Sequence, residues 1–181
     1  PAGGIYGNQY LMIDLLSKLI PDGWKIYVKE HLSQFKKYQA AERAKSVEYY
    51  KMIASMPKVE LVPLTYTSFE LIDRAKASAT VSGSVGWESV VRGKPDLLFG
   101  YSWYRDFKAV FVTHNIKDCR DAIQQIQNGY QVSIDDVKNF VQIIEHHSIK
   151  GYIDKIYEKM NFIPPEKNVE NLARAIYEFV T

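Results

Sequence analysis

Two hydroxyls and two glycines within five residues, Ser82-Gly83-Ser84-Val85-Gly86, are the residues of this chain best suited to meet a phosphate. They follow an apolar strand candidate, Ala79-Thr80-Val81, and precede a short helix candidate, Trp87 to Arg92. The first N–H groups of a helix have no partner inside it and carry partial positive charge. Small residues let an anion come close to them. The same turn serves equally as a plain strand-to-helix connection in which serine caps the helix. It is neither a full G-x-G-x-x-G nor a P-loop, because no Gly-Lys-Ser/Thr follows. Glu88 lies one helical turn beyond Ser84 on the same face. Its carboxylate can accept hydrogen bonds from ribose hydroxyls, or simply favour the positive end of the helix.

Two further groups qualify. Lys29-Glu30-His31 ends the apolar run Trp24 to Lys29, a strand by its β-branched and aromatic content. Ligands of open α/β sheets bind at the carboxyl ends of strands. There Lys29 can neutralise phosphate charge, and His31 can hydrogen-bond a phosphate or protonate a leaving group. Tyr101, Trp103 and Tyr104 follow the strand candidate Asp96 to Phe99 and can stack on a base or sugar, or cover the protein's own core. His146 and His147 are adjacent on a helix, about 100° apart, and do not readily share a metal. Cys119 sits on an apolar helix face as a core residue does. No Ser-His-Asp pattern is present, and no metal cluster is visible, so ligand binding is expected to be metal-independent.

These residues need elements to position them. Asn8 to Ile20 places Met12, Leu15, Leu16 and Leu19 on one helical face. Phe35 to Met56 reads as a long helix, and Lys58 to Val62 as a short strand. Thr67-Ser68-Phe69-Glu70 is a capping box that starts a helix running to about Lys76. Val110-Phe111-Val112 is another strand. The remainder is helical: Ile116 to Asn128, a helix from Ser133, Ile149 to Met160, and Val169 to Val180. Strands alternating with helices imply a parallel sheet. The expected fold is a Rossmann-like, three-layer α/β domain over residues 1–130. A helical C-terminal extension over 131–181 is expected to pack on it. The loop-like opening Pro1-Ala2-Gly3-Gly4 leads straight into a helix, so the first strand is expected to be missing.

The 181 residues carry a net charge of +2 with basic and acidic side chains interspersed, which argues against nucleic acid. No run is apolar and long enough to span a bilayer, and no signal-peptide pattern opens the chain. Cys119 stands alone, which excludes an internal disulfide and suits a reducing, cytoplasmic setting.

Val28–His31 (VKEH), Thr67–Ile72 (TSFELI) and Val81–Gly100 (VSGSVGWESVVRGKPDLLFG) resemble the bacterial capsule polysaccharide biosynthesis and export family. That family is similar to transferases of 3-deoxy-manno-octulosonic acid (Kdo) that use a CMP-sugar donor. The resemblance runs to about Thr113. It implies the C-terminal half of a GT-B glycosyltransferase, with the nucleotide-sugar donor, CMP-Kdo in the family, as substrate and no further cofactor. His31 falls on the family's His-Pro motif near the donor phosphate, Ser82 and Ser84 on its nucleotide-contacting turn, and Glu88 on the acidic position after it. Tyr104 falls near an aromatic in the next loop. Leu32 replaces the expected proline, which loosens the pose of His31. The resemblance also implies a polysaccharide or lipid-linked acceptor, and an acceptor domain lying outside these residues, so that this part alone is inactive. It implies a protein that is cytoplasmic or peripheral at the inner face of the inner membrane. Two other functions fit the same residues: a non-catalytic scaffold or binding module in polysaccharide assembly or export, and a nucleotide-sugar epimerase with a similar glycine-serine turn.

Overall fold

The computed structural model describes residues 2–31, 45–160 and 162–180. They divide into two compact units, Pro1–Val137 and Lys138–Thr181, where the sequence suggested a division after residue 130.

The first unit is α/β. A 3-10 turn, Gly4–Gly7, leads into α1 (Gln9–Leu19), whose start is capped by the Asn8 side chain accepting from the Tyr10 N–H. Helix α1 buries Met12, Ile13 and Leu16, the spacing of one helical face. Then follow β1 (Ile26–Val28), α2 (Val47–Ala54), β2 (Val59–Leu61), α3 (Ser68–Arg74), β3 (Ser78–Thr80), α4 (Val85–Val91), β4 (Asp96–Leu98), β5 (Val110–Val112) and α5 (Ile116–Gln127). The long helix expected from Phe35 to Met56 is not continuous: α2 starts at Val47, where Ser46 is extended and its side chain accepts from the Tyr49 N–H, and residues 32–44, Leu32 included, lie outside the described residues. The capping box forms as expected: Thr67 accepts from the Glu70 N–H, and the Glu70 carboxylate accepts from the Thr67 N–H. The Thr67 N–H and the Thr67 hydroxyl both donate to the Glu70 carboxylate and hold it below the usual carboxylate range. Helix α5 ends at Gly129, whose φ of 87° suits a residue without a Cβ.

All strand pairs are parallel, in two ladders. One is β1-β2, with Ile26 opposite Val59; the other is β3-β4-β5, with Ser78 opposite Asp96 and Asp96 opposite Val110. This arrangement is compatible with a Rossmann-like fold. The central strand β4 is buried along its length, as a strand flanked on both edges and covered on its faces must be. Helices α1 and α5 pack together over the ladders, joining Met12, Ile13 and Leu16 to Cys119, Ala122, Ile123 and Ile126 in one core with Leu97 and Phe99. Cys119 is fully buried there, and burial pushes its thiol up to about 11, so it behaves as a small apolar side chain.

Helix α6 (Ile134–His147) crosses into the second unit, which ends with α7 (Pro165–Val180). The helix expected from Ile149 to Met160 does not form; only Lys155–Met160 coils, as a 3-10 turn, and Ile149, Ile153 and Met160 are exposed. The reason lies at Tyr152. Its N–H donates to Asn168 Oδ1 (2.7 Å) and its carbonyl accepts from Asn168 Nδ2 (3.0 Å), so both backbone groups are committed to a side chain of α7. Gly151 makes this possible, because a Cβ there would lie 2.8 Å from Asn168 Oδ1. On α7, of the apolar positions Leu172, Ala173, Ile176 and Val180 aligned in the sequence, Leu172 is partly buried and the other three are exposed. Among the described residues no helix is long and apolar enough to cross a membrane.

Leu98 is fully buried between β3 and β5. Truncating it removes packing on one face of the central strand. Leu98→Ala should cost about 2–5 kcal/mol in a denaturant melt, with the far-UV circular dichroism of the native state retained.

Candidate functional site

The carboxyl ends of β3, β4 and β5 bring four segments together. Gly100, just after β4, is the point of closest approach: a Cβ there would run into the carbonyl oxygens of Ala2 and Val81. The Tyr101 N–H donates to Ala2 O at 2.7 Å, and a Cβ on Gly3 would lie 2.9 Å from Val81 Cγ1. The N-terminal glycine loop therefore lies against the strand end that feeds the Ser82–Gly86 turn. A hollow of about 290 Å³ opens beside it, lined by the N-terminal loop, Phe99–Tyr101, Arg105, Thr113 and His114.

The turn itself is built by local bonds. The Gly83 N–H donates to Thr80 Oγ1 (3.1 Å), and the Gly83 carbonyl accepts from Tyr104 Oη (2.6 Å). Ser82, Gly83 and Ser84 are exposed. Ser84 occupies the cap position of α4 in helical dihedrals, and its hydroxyl does not cap the helix. It donates instead to Glu88 Oε1 at 2.9 Å, so the two side chains do share a face as the spacing predicts.

Gly86 is buried, and its role is internal. A Cβ added there would collide with Asp96 Oδ2 and Tyr104 Oη. Tyr104 is fully buried, so it presents no face to a ligand; it pins the turn from beneath and lies near Trp87 and Trp103. Burial pushes its phenol up to about 12, with the neighbouring Asp96 adding to the effect. Of the three aromatics expected in this loop, Tyr101 and Trp103 remain more than half exposed. The loop is thus partly a cover for its own core and partly surface.

Asp96 is the residue that sequence reasoning passed over. It is fully buried; Oδ1 accepts from Ser78 Oγ at 2.6 Å, and Oδ2 has no hydrogen-bond partner. An ionised carboxylate cannot be left in such a place, so burial pushes its pKa up to about 7. The sequence marks Asp96 only as the first residue of a strand candidate, and its burial shows only in the packing of Gly86 and Tyr104 against it.

Lys29 and His31 belong to the other ladder. Lys29 is partly buried and its Nζ approaches the carbonyl of Glu30 at 3.3 Å; His31 is exposed at the end of the strand. Between them Glu30 forms a sheltered ion pair with Lys45 (2.6 Å), and Lys45 also donates to Gln9 Oε1 (2.7 Å), which fastens β1 to α1. The structure therefore joins Ser84 to Glu88 and Gly83 to Tyr104, whereas Lys29 is engaged locally. In the second unit the rings of His146 and His147 meet edge to face with centroids 5.0 Å apart. The hollow of about 510 Å³ they line is walled by α6 alone and encloses nothing. Among the described residues no group of three or more His, Cys, Asp or Glu side chains is placed to hold a metal ion.

Comparison with protein-family models, with curated proteins and with solved structures gives no match.

Gly86→Ala should destabilise the fold by about 1–3 kcal/mol, the cost of overpacking, in a urea melt. Asp96 supplies a pH signature. Its pKa in the folded chain lies above the ordinary value of 3.8, so folding takes up a proton between about pH 4 and pH 7. Its contribution to stability falls as pH rises through that window and is lowest above it. Relative to wild type, Asp96→Asn should therefore gain stability between pH 5 and pH 8, with a ceiling of about 4 kcal/mol, measured as the difference between paired melts.

Proposed function

We propose that the Pro1–Val137 unit is the donor-binding domain of a glycosyltransferase of bacterial surface polysaccharide, taking a nucleotide-sugar such as CMP-Kdo. The observation that carries this reading is the exposed Ser82–Ser84 turn at the carboxyl end of a parallel ladder, with Ser84 bonded to Glu88, on the sheet edge where the residues after β4 and β5 line a hollow. That edge is where α/β sheets accept nucleotides. Two all-parallel ladders, β1-β2 and β3-β4-β5, compatible with a Rossmann-like fold, add support. Ser82, Ser84 and Glu88 would hold the nucleotide, and the Gly83 and Gly86 backbones would shape the turn. Lys29 and His31 would serve the phosphate from the neighbouring strand end. Stabilising a phosphate leaving group with fixed donors is the electrostatic part of glycosyl transfer. The group that attacks the sugar would come from elsewhere.

A second reading, a non-catalytic module in polysaccharide assembly or export, draws on the exposed apolar residues of α7, among them Ile176, Phe179 and Val180.

Calorimetric titration with CMP separates the two. The donor-binding reading expects a Kd at or below the millimolar range, weakened about tenfold by Glu88→Ala, in line with the loss of one or two hydrogen bonds. A folded sample that takes up no CMP at millimolar concentration refutes it and leaves the module.

A further inference from the structure

The hollow beside the turn has a chemistry that its wall residues define. Two of them carry nitrogen-bearing side chains, Arg105 and His114, and no carboxylate is part of the lining. Arg105 is held between an aromatic ring and an acid. Its guanidinium lies 4.7 Å from the centre of the Tyr101 ring, within cation–π range. Its acidic neighbour is Asp106, at 3.7 Å, too far for a hydrogen bond and itself almost fully exposed. The side chain of Arg105 is less than a third exposed, so its charge is sheltered, and its ion-pair partner Asp106 lies at the surface and not in the lining of the hollow. His114 stands across the hollow from the next strand, β5, with its backbone N–H anchored on Asp118 Oδ2 at 3.0 Å. The space, about 290 Å³, falls at the small end of ligand pockets (roughly 300–1,000 Å³). It suits a phosphate or phosphosugar fragment better than a whole nucleotide.

We propose that this hollow is a phosphate subsite, in which the Arg105 guanidinium grips two oxygens of a phosphate or phosphodiester and His114 contacts a third. The proposal rests on the nucleotide-sugar reading for the source of that phosphate, and it moves the principal phosphate contact from Lys29 and His31 to Arg105 and His114. A guanidinium restrained by contact with an aromatic ring loses less freedom on bidentate binding of a tetrahedral anion. The N-terminal loop supplies a wall in which Gly3 and Gly4 carry no side chain, between Ala2 and Ile5-Tyr6. The site needs no rearrangement of the core, since its walls are the strand ends already fixed by β4 and β5.

The test is a titration of the intact chain with inorganic pyrophosphate, and separately with CMP, followed by the amide and arginine Nε–H resonances in two-dimensional NMR at constant ionic strength. Pyrophosphate should shift the Arg105 Nε–H and the amides of Gly3, Gly100, Tyr101 and His114. Arg105→Gln should weaken both ligands at least tenfold, Arg105→Lys should restore only part of that loss, and His114→Gln should weaken them about threefold. All three variants change side chains at the rim and should keep the wild-type melting curve. Shifts spread over the surface in proportion to charge, or unchanged affinity in Arg105→Gln, overturn the subsite. CMP bound equally by wild type and Arg105→Gln leaves the nucleotide reading standing while removing this subsite. Pyrophosphate bound through Arg105 with no uptake of CMP keeps the subsite and removes the nucleotide as its source.

Discussion

A carboxyl group sealed away from water sets the terms on which the glycine-serine turn exists. Asp96 opens the central strand, takes one hydrogen bond from Ser78 across the ladder, and turns its other oxygen toward Gly86. Tyr104 closes the space from the opposite side and reaches over to the Gly83 carbonyl. The first turn of α4 can descend onto this pair only because residue 86 has no side chain. Strand, helix and loop are therefore locked by one contact among three residues. An uncharged Asp96 is part of that lock, because ionising it would put an unpaired charge where no solvent can answer it.

The second organising point is Gly100, squeezed between the carbonyls of Ala2 and Val81. The Asp96 lock holds the underside of α4, whereas Gly100 gathers the ends of the strands. Together they explain why the polar groups Ser82, Ser84 and Glu88 stand above a rigid base, with Tyr104 directed inward beneath them and Tyr101 and Trp103 at the surface. Rigidity of this kind is what a binding edge requires, since contacts placed on strand ends keep their spacing when loops move.

Much of the first unit was legible in the sequence. The capping box at Thr67, the α1 face, the α5 face with Cys119, and the alternation of strand and helix all follow from short-range rules, and the structure has them. Ser84 and Glu88 were legible as a pair because helical spacing alone brings them together. What escaped depends on contacts distant in sequence. Asp96, Tyr104 and Gly86 become one unit through packing that no local pattern records, so Tyr104 looked like a stacking surface when it is interior. The apolar periodicity at Ile149–Met160 suggested a helix, but Asn168, a residue of another helix, captures the backbone of Tyr152. Arg105 and His114 carried no motif; their importance comes from the strand ends that bring them to one hollow.

The bond from the Tyr101 N–H to the Ala2 carbonyl has a thermodynamic meaning beyond geometry. It makes residues 2–5 a wall of the hollow, held by one backbone hydrogen bond and by the close contact of Gly3 with Val81. Whatever enters the hollow must find that wall in place, so occupancy and attachment of the N-terminal loop are linked equilibria. A ligand that binds the closed wall draws the loop down, and a loop pulled away lowers affinity by the same factor. The first few residues are in that sense part of the binding constant, although they carry no functional side chain.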